Sequence, residues 1–173
     1  MVIIGPDCYI GHGAILRGDY GTIEIGEGTA VEEGAIIHAR PDDFTRIGRR
    51  VTVGHGAMIH NATILDGSVI GMRATISDYS RLGEWCIIGE ATLVKNGQQI
   101  PPGKIAVGVP ARIIGDVSEE QRRFWNHGKD LYIDLARRYP KGLKEIDLSQ
   151  ALKKWNETAH ADRSADRKTS KSS

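Results

Sequence analysis

Aromatic residues make up only 6% of this 173-residue chain, too few for a core filled by large rings. Cysteine is scarcer still: Cys8 and Cys86 are the only two. They lie far apart in apolar patterning, which reads as buried free thiols rather than a disulfide. An excess of either charge is also lacking. Lys+Arg number 23 against 22 for Asp+Glu, a formal net charge of +1, so no electrostatic argument calls for nucleic acid or an anionic membrane. The expected partner is a small molecule or another protein. No stretch approaches the ~18 apolar residues of a membrane helix, and no basic-then-apolar leader opens the chain, so the expected location is the cytoplasm. What is plentiful is glycine, 21 residues, which suits backbone segments that approach closely.

The chain repeats itself with a period of six. From Ile4 it divides into IGPDCY, IGHGAI and LRGDYG, then, after a three-residue slip, IGEGTA and VEEGAI. Beyond Ile37 and a loop it continues as IGRRVT, VGHGAM, the five-residue IHNAT, ILDGSV, IGMRAT, ISDYSR, LGEWCI and IGEATL. Six fits neither a 3.6-residue helix nor an uninterrupted strand. It fits a short strand and a tight corner, repeated. Three units then make one turn of about 18 residues, and successive turns stack at the ~4.8 Å spacing of neighbouring strands. The expected fold is an all-β solenoid, a parallel β-helix over residues 1–115, with the aliphatic opener of each unit pointing inward.

Residues 101–115, PPGKIAVGVPARIIG, read as a loop returning to a last apolar strand. Ser118 followed by Gln121 forms a capping-box pattern. Phe124, Leu131, Leu135 and Arg138 follow at near-helical spacings, interrupted by Gly128. The expectation is a C-terminal α-helix within residues 116–146, packed on the coil. Residues 147–173 carry too little apolar surface to order themselves and are expected to form a disordered tail.

Register places the histidines. Leu16, Ile37, Ile59, Ile76 and Val94 open the units of one face, so the residues after them, Arg17, His38, His60, Ser77 and Lys95, point outward from that face. His38 and His60 are thereby one turn apart, close enough to share a zinc at ~2.0–2.1 Å from each nitrogen. His55, two places after Val53, falls near a corner of the preceding face and turns away from that pair within its own chain. It is placed to complete the pair of a neighbouring chain, which implies a homotrimer with three equivalent interfaces. Three histidines and an open position make water nucleophilic near neutral pH. The blander reading is that outward histidines simply pack a subunit interface. Arg17 and Asp19 are either an ordinary surface pair or, at such an interface, groups that orient subunits and ligands. His12, His127 and His160 are read as incidental.

The segments LRGDYGTIEIG, VEEGAIIH, VGHGAMIH, IGMRATI and IPPGKIAVGVPARI resemble the successive motifs of the gamma-class carbonic anhydrase family over residues 4–139. The resemblance implies a left-handed coil and a homotrimer with metal sites at its interfaces. It also implies His38, His55 and His60 as ligands of zinc, with Fe2+ or Co2+ as other metals, and Arg17 and Asp19 as the interface pair beside the site. The implied reaction is reversible hydration of carbon dioxide to bicarbonate by metal-bound hydroxide. Glu32 stands where that family usually has a glutamine that orients the water, and Ala30 where it usually has an asparagine. A carboxylate accepts a hydrogen bond but does not donate one, and its charge raises the pKa of a nearby water. Competing expectations are a hexapeptide acyltransferase or thioesterase acting on acyl-CoA, and a non-catalytic trimeric scaffold with a weakened metal site.

Overall fold

The computed structural model describes residues 1–145 and 147–153. Short strands alternate with corners through about five turns of a parallel solenoid of triangular section. The first face stacks Val2–Ile4, Thr22–Ile25, Phe44–Ile47, Thr63–Ile64, Arg81–Leu82 and Gln99–Ile100. The second stacks Tyr9–Ile10, Ala30–Val31, Thr52–Val53, Val69–Ile70, Ile87–Ile88 and Lys104–Val107. The third stacks Ile15–Arg17, Ile36–His38, Met58–His60, Thr75–Ile76 and Leu93–Val94.

Ladder register puts like on like. Ile25, Ile47, Ile64, Leu82 and Ile100 form one inward column, and Val31, Val53, Ile70 and Ile88 another. The third runs Leu16, Ile37, Ile59, Ile76, Val94. Nearly all of these side chains are buried. The hexapeptide period is also the period of the corners: backbone with positive φ recurs at Gly67, Arg73, Tyr79, Trp85, Ala91 and Gly97. Glycine is required at Gly67, where a Cβ would stand 2.6 Å from the Trp85 ring. Cys8 and Cys86 are unpaired, and burial raises both thiol pKa values, so neither is an activated nucleophile.

Lys104–Val107 pairs antiparallel with Arg112–Asp116 and ends the second face. A reciprocal cap follows, in which the Ser118 amide donates to Gln121 Oε1 (2.9 Å) and the Gln121 amide to Ser118 Oγ (3.1 Å). It starts helix α1, Glu119–Gly142. The helix runs back along the second face, tied by Arg50 to Asp130 (2.8 Å) and Arg137 to Asp7. Its inward side differs from the apolar spacing in the sequence. Phe124 and Leu131 are 70% and 56% exposed, while Lys129 is 1% exposed and lies between the rings of Trp85 and Trp125. The lysine stem packs like an apolar chain and its ammonium meets two indole faces. Residues 148–153 form a short helix, where Asp147 accepts from the Ser149 amide (2.7 Å). The remainder of the proposed tail, with His160, lies outside the described residues.

The three outer surfaces have three chemistries. Above its lowest turn, which exposes Val2, Ile3 and Ile4, the first face is mainly polar, with Glu24 paired to Arg46 (2.9 Å) beside Thr63, Arg81 and Gln99 and with Arg46 over the exposed Phe44 ring. The second lies beneath the helix. The third presents Ile15, Ile36 and Met58 in register, 52%, 37% and 45% exposed.

Candidate metal centre

Where the third face turns toward the first, the strands Ile15–Arg17, Ile36–His38 and Met58–His60 bring Arg17, His38 and His60 into one column. The imidazoles of His38 and His60 lie 5.0 Å apart between centroids, with His38 Nδ1 3.0 Å from His60 Nε2. Two nitrogens bound tetrahedrally to one ion at 2.0–2.1 Å stand about 3.3 Å apart, so this pair is close to a chelating separation. Arg17 holds Asp19 through two hydrogen bonds (2.9 and 3.0 Å), and its other amino group lies 3.2 Å from His38 Nδ1. Asp19 Oδ1 lies 3.3 Å from His38 Nε2. The guanidinium on Asp19, chiefly by hydrogen bonding, lowers that carboxyl's pKa.

His55 lies elsewhere, at the corner between the second and third faces. Glu33 Oε2 is 2.9 Å from its Nδ1 and Glu32 Oε2 is 3.2 Å from its Nε2. The same Glu32 oxygen accepts the His55 amide (3.1 Å), and Glu32 is buried. Tyr9 donates its hydroxyl to Glu33, which is the largest cause lowering that carboxyl's pKa. The pKa of Tyr132 of α1 is raised, first by burial and then by the nearby Glu32 carboxylate. Among the described residues, no three His, Cys, Asp or Glu side chains of one chain converge on a possible ion. The fold thus gathers Arg17, Asp19, His38 and His60, and keeps His55 and Glu32 at a second edge.

The donors fit a divalent transition metal. Imidazole is its common ligand, and a carboxylate on the remote ring nitrogen fixes the tautomer and raises basicity. Glu33 occupies that place on His55, and a residue passed over in the sequence occupies it on His60: Asp78 Oδ1 contacts His60 Nδ1. Asp78 sits on a corner rather than on a strand, so the inward–outward alternation that located the histidines does not flag it. The loop after His38 closes on the same corner. Asn61 accepts the Arg40 amide (3.0 Å) and donates to Asp43 (2.8 Å), and that hydrogen bond is the largest cause lowering the Asp43 pKa.

The stacked short strands, glycine-rich corners and external helix define a hexapeptide-repeat protein with a left-handed parallel β-helix. No protein-family model matches the chain. It is 31% identical over 163 residues to Gamma carbonic anhydrase 2, mitochondrial, of Arabidopsis thaliana, covering 88% of this chain and 59% of that protein. It is 34% identical over 144 residues to carnitine operon protein CaiE of Salmonella agona, covering 83% and 73%. Among solved structures, a hexapeptide transferase family protein of Anaplasma phagocytophilum superposes with a TM-score of 0.75 at 30% identity, over 80% of this chain and 81% of that one. A putative acetyltransferase of Bacillus cereus gives 0.70 at 28%, over 80% and 87%. The chain belongs to the hexapeptide-repeat family that includes CaiE and the gamma carbonic anhydrases, and it spans 59% of the length of the gamma carbonic anhydrases it matches.

Proposed function

We propose that the protein is a homotrimeric metalloenzyme that interconverts carbon dioxide and bicarbonate. In this reading His38 and His60 of one subunit and His55 of the next hold a divalent zinc, iron or cobalt ion. The observation that carries the reading is the approach of His38 Nδ1 to His60 Nε2 at 3.0 Å, beside an exposed apolar ladder that suits a second copy of the chain. Kinship with gamma carbonic anhydrases supports it.

An ion held there supplies Lewis acidity that makes water nucleophilic near neutral pH. The chain's own groups do the rest. Glu32 Oε2, beside His55 Nε2, accepts a hydrogen bond from the water that adds to the carbon. Arg17, beside His38, offers N–H donors where an oxygen gains charge as bicarbonate forms. The apolar ladder of Ile15, Ile36 and Met58, closed against a neighbour, keeps bulk water from the inner side. The released proton leaves on the open side to solvent.

The deciding experiment is elemental analysis with particle mass on one sample purified without chelator or nickel, followed by carbon dioxide hydration assays. About one ion per chain in an active trimer supports the reading. A trimer that stays metal-free after adding zinc or ferrous iron removes it.

A second reading, an acyl thioester as substrate, has one observation in its favour. A cavity of about 270 Å3 opens beside His55 and Glu32, floored by Val69, Ile87 and Ile88 and walled by Trp125 of α1. Carbon dioxide needs no such space, whereas an acyl chain would use it. Hydrolysis of short acyl-CoA esters by the metal-loaded protein, without carbon dioxide hydration, would favour this reading.

A further inference from the structure

His60 Nδ1 faces one oxygen of Asp78, while the other accepts from the Arg40 guanidinium at 2.8 Å. Asp78 is mostly buried, and Arg40 is itself held through its backbone by Asn61 and lies over the Tyr79 ring. With Arg40 on its second oxygen, the carboxylate can only accept from His60. The proton of a neutral His60 is thereby kept on Nδ1, and the lone pair of Nε2 is left facing His38. The counterpart on His38 is weaker, because Asp19 is half-exposed and 3.3 Å away. Of the two stacked histidines, His60 is the one oriented in advance.

We propose that Asp78 is a positioning residue: its carboxylate, divided between His60 Nδ1 and Arg40, fixes the tautomer and ring orientation of His60 and aims Nε2 at the shared metal position. The inference rests on the metal-site reading for its consequence, though not for its geometry. The loop between His38 and Phe44, which otherwise only bridges two turns, gains a function here, since it carries the arginine that holds the carboxylate.

The test has two arms. Long-range 1H–15N correlation spectra of metal-free, 15N-labelled protein report which His60 nitrogen carries the proton, with assignment by loss of the signal in His60→Gln. The wild type should show the Nδ1–H form and Asp78→Ala a mixture, with Asp78→Asn, which preserves shape and an accepting oxygen, close to the wild type. Zinc titration against a chromophoric chelator should then show affinity about 10- to 100-fold weaker for Asp78→Ala, with Asp78→Asn between. An Nε2–H form in the wild type, or unchanged tautomer and unchanged zinc affinity in Asp78→Ala, overturns the proposal. A wild type that binds no zinc overturns the metal reading instead, and the spectra still decide the role of Asp78.

Discussion

Glu33 stands 2.9 Å from the Nδ1 of His55 at one edge of the coil, while His60, at the next edge, gives its Nδ1 to Asp78. Each histidine therefore has its remote nitrogen occupied by a carboxylate of its own chain, although the two belong to different corners. A site built from both needs two subunits. His55→Ala should empty the site and leave a folded trimer, and stoichiometric metal retained in that variant would show the ligand set to be wrong. Coexpression with His60→Ala gives a sharper result. A mixed trimer has one interface joining an intact pair to an intact His55, so equal amounts of the two chains should restore about a quarter of the sites. No restoration would mean that the site does not cross the interface.

The architecture was largely legible because its signal is periodic. The inward column from Leu16 to Val94, and with it the stacking of His38 on His60, follows from cutting the chain every six residues and allowing for one slip, one loop and one short unit. What escaped depends on tertiary neighbours. Lys129 is buried because Trp85 projects from a corner of positive φ into the path of the helix, which no periodicity of the helix itself reveals. Asp78 escaped because corner residues obey no alternation. The hand of the coil came from resemblance alone.

Glu32 brings a negative charge to within 3.2 Å of the His55 ring. Glu32→Gln keeps the size of the side chain and an oxygen for the His55 amide, so the fold should persist. The neutral amide should raise hydration activity. It should also move the acid-side pKa of the rate profile, below which hydration is lost because the attacking water keeps its proton, down by about one unit, the scale expected for one charge at a few ångströms in a partly solvated site. Unchanged rates across pH 6–9 would remove Glu32 from the reaction.

The third face should be the contact between copies. Ile36→Glu places a carboxylate in the middle of the exposed ladder formed with Ile15 and Met58, where a closed interface would leave it buried and unpaired. The particle mass should fall from trimer to monomer, with metal lost at the same time. A trimer of unchanged mass and metal content would place the interface on another surface. Thr63→Glu, on the mainly polar first face, is the control that should change neither.

Burial lowers the Lys129 pKa from 10.5 to about 8, with Arg50 adding to the shift. Between those values the unfolded chain holds a proton that the folded chain has lost, so stability rises with pH. The burial penalty is fully present below pH 8. Over the interval from pH 8 to 9.5 the gain is at most about 2 kcal/mol, at 1.36 kcal/mol per unit, and attraction of the ammonium to the two indoles reduces it. Above pH 10 the sign reverses for other groups. Burial raises the pKa values of Tyr9 and Tyr132, so the unfolded chain ionises first and stability falls. The buried thiols of Cys8 and Cys86, whose pKa values are also raised, oppose the Lys129 gain over the same range, so that contribution is read as a difference. Chemical denaturation midpoints of the wild type should climb from pH 8 to 9.5 relative to a variant without the ammonium, and both should fall above 10. Lys129→Met, which keeps an apolar stem without the charge, is that variant. The same pH dependence in both proteins would assign the proton to another group.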